Sequence, residues 1–501
     1  MVTATEAGVA PGDRAFHVEV HGIDHIPESE RWATPRHLFW MWAGASFQIE
    51  YFVYGVILMA FFGLSFVQAV VLIVVGNASF LLLGLTSLQG PDAGTTAMTI
   101  TRASYGPNGA RVPTLFNWLT QVGFETEGLV LVVYAAEVLA RKAGFAPGTP
   151  AKVAFILLAV LAQLTLPLLG HATIVRTLRA LTVPFVVLFA ILAGLTLGKA
   201  HTGVVAHGAD WRGLSVGLAF TIALAGLGWT ENGNDYSRYL PRRASKPAIV
   251  GWVFLGTALP EILVMTLGAA VGTYASAIAT GENPFAAFLS PHVVATGFVV
   301  PLLVVAILQL FAINSLDLYS SGVTLQTLGL RVRRWQAVLV DTVIACGLTV
   351  YAVFDSSFST LLKDFADCVI CWIAPWMAIF LVDWALRRFR YAPSELQRLD
   401  PGGLYYRRGG VHWPAIVAQA LGTFGAVEAL SQTFFVGQIS RWVGADRAGV
   451  FPDFSIYIGV AVAAVTYLVL AWRRLSVEAR RQEELAPSPE GLSAQLTGTR
   501  T

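Results

Sequence analysis

Twelve apolar stretches of about twenty residues recur along the chain, each long enough to cross the hydrocarbon layer of a bilayer as an α-helix. They fall near 38–62, 65–89, 113–139, 152–170, 177–198, 213–233, 248–275, 296–326, 336–355, 365–386, 412–435 and 453–472. Lipid offers the backbone no hydrogen bonds, so such a chain is expected to fold as an all-α polytopic membrane protein. The composition agrees. Of the 501 residues 55% are hydrophobic and 13% charged, well under the roughly 25% charged content of a soluble domain.

Lys and Arg set the expected orientation. With the N-terminus inside, 25 of the 33 basic residues fall in cytoplasmic segments, including the clusters at Arg242, Arg331, Arg387 and Arg407. A missed or invented span would scramble that asymmetry. Residues 1–37 and 473–501 read as polar cytoplasmic tails; the first lacks the apolar core of a signal peptide, and the second has a disordered composition. The expected location is the plasma membrane. A net charge of +2, with basic residues in short clusters, gives no footing for a nucleic-acid partner. Cys346, Cys368 and Cys371 all lie in apolar segments without neighbouring His, so no metal site or cofactor is expected.

Two spans carry interruptions. The first contains "AGASFQ" (43–48) and the sixth "AGLGWT" (225–230), each with small residues, then an aromatic, then a polar side chain. Glycine lowers helix propensity by about 1 kcal/mol relative to Ala. Close packing explains a single glycine. Polar residues clustered just after both interruptions point instead to unwound segments lining a solute site, in matching positions of two halves of a transporter. Carboxylates at membrane depth are functional candidates by default: Glu50, Glu125, Glu127, Glu231, Asp235, Glu261 and Asp317, whereas Asp341 and Asp383 lie near span ends. Glu125 and Glu127 point to different helix faces. Asp235 and Arg238 share one face at the cytoplasmic end, where an ion pair is the plain reading.

"GLGWTENGNDYSRYLP" (226–241) resembles the signature of the nucleobase:cation symporter-1 family, in its purine-cytosine permease branch. "GIDHIPESERWATPRHLFWMW", "RASYGPNGARVPTLFNWLTQVGF", "INSLDLYSSGVTLQTLG" and "IAPWMAIFLVD" resemble other family segments in the right order. The resemblance implies the LeuT-type fold: a 5+5 inverted repeat (38–198 and 213–386) with broken helices 1 and 6, followed by two C-terminal helices (412–472). It implies secondary active import of a flat heterocycle, such as cytosine or a purine, coupled to a proton or sodium ion. Allantoin, hydantoin, uracil or a vitamin, with sodium coupling, is the alternative.

Carried over from the family, Trp229 is the aromatic of helix six, and Phe124 takes the place in helix three where relatives usually have Trp. Gln48 resembles the polar contact of helix one, Gly228 a backbone contact beside the ring, and Asn314 the amide of helix eight. Four residues after Phe124 relatives commonly carry an amide, but this chain has Gly128, which leaves Thr126 or Glu127 as substitutes. Sodium-coupled relatives supply hydroxyls on helix eight ahead of the amide, whereas "VAILQLFAIN" (305–314) has no Ser or Thr. Proton coupling is therefore expected, with Glu50, Glu125, Glu127 and Asp317 as candidate carriers. Asp235 and Arg238 belong to the signature and are expected to be structural or gating. No HExxH or GxSxG occurs, which disfavours a membrane-embedded enzyme, and broken helices around a midplane site disfavour a channel.

Overall fold

The computed structural model describes residues 21–203, 208–330, 334–355, 358–432, 435–444 and 451–485. Helices follow the apolar stretches in order. They are α1 (Pro35–Ser46, then Ile49–Ala60), α2 (Phe66–Asn77, continued by Phe80–Thr86), α3 (Arg111–Lys142), α4 (Thr149–Gln163) and α5 (His171–Thr196). Next come α6 (Trp211–Leu224, a 3-10 turn at Leu227–Trp229, then Gly233–Ser237), α7 (Lys246–Gly272), α8 (Val299–Thr327), α9 (Arg334–Asp355) and α10 (Phe358–Leu386). The last two are α11 (Trp413–Glu428) and α12 (Ser455–Leu485).

Among the described residues, nine helices are long and apolar enough to cross a membrane by themselves, and the bent pair of α1 makes a tenth. The other two depart for evident reasons. Helix α3 carries Glu125, Glu127 and Glu137, all buried inside the protein and so hidden from lipid. Helix α11 has only 16 residues, about 24 Å at 1.5 Å per residue.

Packing sorts the helices into groups. Both halves of α1 lie against α7, which also holds α2, and α2 holds α6. Separately, α3 packs on α4, α8 and α9, while α10, α11 and α12 pack on one another. Helix α5 lies between the first half of α1 and α8. The lipid side shows in exposed apolar residues such as Val67, Val71, Leu158, Leu161 and Val183, while the polar residues of α3 and α8 are turned inward.

Part of the expected N-terminal tail is a docked segment. Arg31 donates to the carbonyls of Ile26 and Pro91, and the amide of Ile26 donates to Gly94 O at 2.8 Å. The remainder of that tail, 1–20, and the chain beyond 485 lie outside the described residues.

Candidate functional site

The first break is local and sharp. Phe47 ends the first half of α1 by donating its N–H to Ala43 O, and Gln48 is extended (φ −134°, ψ 156°). The second half then starts at Ile49, bent by 58°. Glu50 stands in its first turn, where a negative group meets the positive end of the helix dipole.

The second break leaves the helix at Ala225 (φ −87°, ψ −132°). Gly226 donates its N–H to Ser79 Oγ at 3.0 Å, at the point where α2 is itself interrupted. A Cβ on Gly226 would lie 2.2 Å from Phe80 N and from Ser79 C, so this crossing admits no side chain. Thr230 and Asn232 then turn the chain back into helix, their groups bonding Leu227 O and Trp229 O.

Between the breaks the rings of Phe124 and Trp229 face each other, 9° from parallel with centroids 6.3 Å apart. A third flat ring between them needs two carbon–carbon spacings of about 3.5 Å, roughly 7 Å in all. The rings must therefore part by about 0.7 Å or more to admit one. Each ring is held edge-on by another aromatic: Trp42 contacts Trp229 at 5.5 Å and Phe365 contacts Phe124 at 5.0 Å. Gly228 belongs to the same place, since a Cβ there would stand 3.7 Å from Phe124 Cζ. Gln48 is buried with its Oε1 unpartnered, and the Tyr51 hydroxyl lies within reach of both Gln48 and Trp229.

The other candidates divide between two networks and the helix ends. Thr126 donates to Val122 O at 2.7 Å within its own helix. Glu127 turns toward α1, where Tyr54 Oη lies 2.7 Å from Glu127 Oε1 and 2.5 Å from Glu50 Oε1. Glu125 points the other way and accepts from Gln163 of α4 at 2.7 Å. Asn314 joins that second network, donating to Glu125 O at 3.1 Å and to Gln163 Oε1 at 3.3 Å. Asp317 is buried one turn further along α8, with Oδ1 unpartnered.

At the signature, Asp235 accepts from the amide of Ala97 at 2.9 Å, and Arg238 donates to Gly22 O and to Tyr319 Oη. These two therefore tie the end of α6 to the α2–α3 loop, the docked N-terminal segment and α8. The link "ENGN" also finds partners: Gln121 of α3 donates to Glu231 Oε1 and exchanges bonds with the amide of Asn232, at 3.2 and 3.3 Å.

Tyr54, Gln163 and Gln121 were not singled out from the sequence. Tyr54 lies four residues after Glu50, on the same helix face, which is a readable signal. A lone amide in an apolar run, as at Gln163, carries none. Asp341 and Asp383, near span ends by sequence, are buried: Asp341 accepts from Trp118 and Ser321, and Asp383 pairs with Arg387 at 2.8 Å.

Two unwound half-helix junctions, facing a pair of parallel rings between separately packed helix groups, are the construction of a secondary transporter, tolerated at membrane depth only where protein lines a cavity. Residues 25–446 match the family model described as "Permease for cytosine/purines, uracil, thiamine, allantoin", and the chain belongs to that family of membrane permeases. It is 27% identical over 479 residues to the putative purine-cytosine permease YxlA of Bacillus subtilis, covering 94% of this chain and 99% of that one. It is 26% identical over 485 residues to the purine-cytosine permease fcyB of Emericella nidulans, covering 91% and 88%.

Among solved structures it resembles Mhp1, a nucleobase-cation-symport-1 family transporter, in a closed conformation with bromovinylhydantoin bound. The TM-score is 0.72 at 18% identity, over 93% of this chain and 99% of that one. The fold is thus the LeuT type: twelve spans, a 5+5 inverted repeat and broken first and sixth helices.

Proposed function

We propose that this permease imports a nucleobase, such as cytosine or a purine, by proton-coupled symport across the plasma membrane, with both termini in the cytoplasm. The observation that carries the reading is the parallel pair Phe124 and Trp229, 6.3 Å apart beside both helix breaks. A heterocycle that wedges the rings apart by about 0.7 Å or more gains two stacking faces, worth about 1–3 kcal/mol each. Gln48, the backbone at Gly228, Thr126, Glu127 and Asn314 are the polar groups proposed to select among rings. The purine-cytosine permeases of B. subtilis and E. nidulans support the substrate class.

Alternating access then moves the packed group of α1, α2, α6 and α7 against the group of α3, α4, α8 and α9 around the fixed site. The absence of Ser and Thr from 305–314 supports proton over sodium coupling, with the carboxylates Glu50, Glu125, Glu127 and Asp317 available to carry the proton. Asp235 and Arg238 act at the inner end, as ties that must loosen when the substrate leaves. We read the chain as a transporter without catalytic residues.

The test is uptake into proteoliposomes of cytosine, adenine, hypoxanthine, uracil, allantoin and a hydantoin, under an inward proton gradient and then an inward sodium gradient. Accumulation of cytosine or a purine driven by the proton gradient alone is the expected result. Accumulation driven only by sodium overturns the coupling, and uptake of none of the six overturns the substrate class.

A further inference from the structure

Four buried carboxylates are available to a coupling proton, and their partners separate them. Glu125 is bonded to Gln163, so both ends of that contact lie in the group formed by α3, α4, α8 and α9. A contact inside one group does not sense movement between groups. Glu50 and Glu127 differ. Glu50 opens the second half of α1, which packs on α7, whereas Glu127 stands on α3, three residues from Phe124. Tyr54 Oη joins them, at 2.5 Å and 2.7 Å, and all three side chains are buried.

The proton inventory of this bridge is constrained. A phenol has one proton to donate, and an ionised carboxylate has none. With both carboxylates ionised, only one of the two short contacts could be a hydrogen bond; the other would set lone pair against lone pair. Both contacts are bonds only when one carboxyl carries its own proton and donates it to Tyr54, which donates onward to the other. The charged and titratable groups facing the bridge are Tyr51 on the same helix, Glu261 on α7 and Asp317 on α8. None of these three supplies a positive charge.

We propose that Glu50 and Glu127 are the shared carrier of the coupling proton, with Tyr54 as the residue that positions it; this rests on the proton-coupled reading above. Loading forms one carboxyl O–H bond with a proton from the outer solution, and Tyr54 keeps its own hydrogen throughout. The loaded bridge fastens the second half of α1, next to Gln48, onto the helix that bears Phe124. Unloading breaks that O–H bond, gives the proton to water on the inner side and leaves two carboxylates around one phenol. One contact is lost, and α1 is freed from α3. The site is thereby assembled when protonated and loosened when not.

The experiment is equilibrium binding of the best nucleobase from the uptake panel to purified protein at pH 5 and pH 8. The wild type is expected to bind at least about tenfold more tightly at pH 5, a coupling of ordinary allosteric size. In the Glu50→Gln, Glu127→Gln double variant the affinities at the two pH values are expected to agree within about twofold. A tenfold pH dependence persisting in that variant overturns the assignment while leaving proton coupling intact. A wild type whose affinity follows sodium and ignores pH overturns the coupling itself.

If the double variant binds nothing at either pH, Tyr54→Phe decides. Tyr54 makes two bonds in the loaded bridge and one in the unloaded bridge, so its loss is expected to move the midpoint of the binding profile downward by about one pH unit. An unchanged midpoint contradicts the proposal.

Discussion

Asn314 fills the space that a side chain on residue 128 would need. A Cβ on Gly128 would lie 2.1 Å from Asn314 Oδ1, far inside contact distance. The place where the family resemblance implies an amide on helix three is thus occupied here by the amide of α8. Asn314 holds that place by donating to Glu125 O and Gln163 Oε1. Gly128→Ala should therefore lower uptake by roughly 5- to 150-fold, since overpacking a buried site costs about 1–3 kcal/mol. Gly128→Ala with Asn314→Ser should recover most of the loss. Uptake rates of the single and double variants check this, and equal loss in both would contradict it.

A second relationship concerns stability. Arg387 is buried between Asp383 and Glu478, at 2.8 and 3.0 Å, and donates to Ala103 O. Tyr467 donates to the other oxygen of Asp383. Arg387→Met leaves the buried Asp383 carboxylate without its cation, while Glu478 keeps Arg407, and the expected cost is about 3–5 kcal/mol. Thermal unfolding in detergent should show a clear drop in Tm, and pairing the change with Asp383→Asn should recover part of it. An unchanged Tm in Arg387→Met would mean that this cluster does not hold α10 to α12.

The docked N-terminal segment should respond to acid. Burial, and then the nearby Arg31 and Arg242 guanidinium groups, push the His25 imidazole below its ordinary 6.5, against the opposing pull of its bond to Ala93 O. Undocked, the ring takes a proton near 6.5; docked, it resists. Docking is therefore at full strength above that pH and weakens as pH falls through the depressed value. Limited proteolysis around residues 21–33 should be faster at pH 5 than at pH 7.5, and His25→Asn should remove most of the difference. The same difference in both proteins would rule His25 out as its source.

Much of this architecture was legible in the sequence because lipid leaves so few options. Twelve spans and two interruptions follow from apolar run length and from glycines beside polar residues, and both breaks stand where "AGASFQ" and "AGLGWT" place them. Trp229 and Phe124 could be paired in advance only through family resemblance, because the register between α3 and α6 is a tertiary fact. The fates of the acids were not legible. Glu125 and Glu127 were read onto different faces, but that one finds Gln163 and the other Tyr54 depends on which helices lie against those faces. Gly128 read as a missing contact; only the crossing of α3 and α8 reveals Asn314 in its place.

A nucleobase held between Phe124 and Trp229 must bind more weakly when one of the two rings is removed. Dissociation constants should be measured for wild type, Trp229→Phe and Trp229→Ala, using the nucleobase that the wild type accumulates. Base–aromatic stacking contributes about 1–3 kcal/mol, so Trp229→Ala should weaken binding by roughly 5- to 150-fold. Trp229→Phe, which keeps a face opposite Phe124, should stay within about fivefold of wild type. Wild-type affinity in the Ala variant would mean that the ligand sits somewhere other than between Phe124 and Trp229.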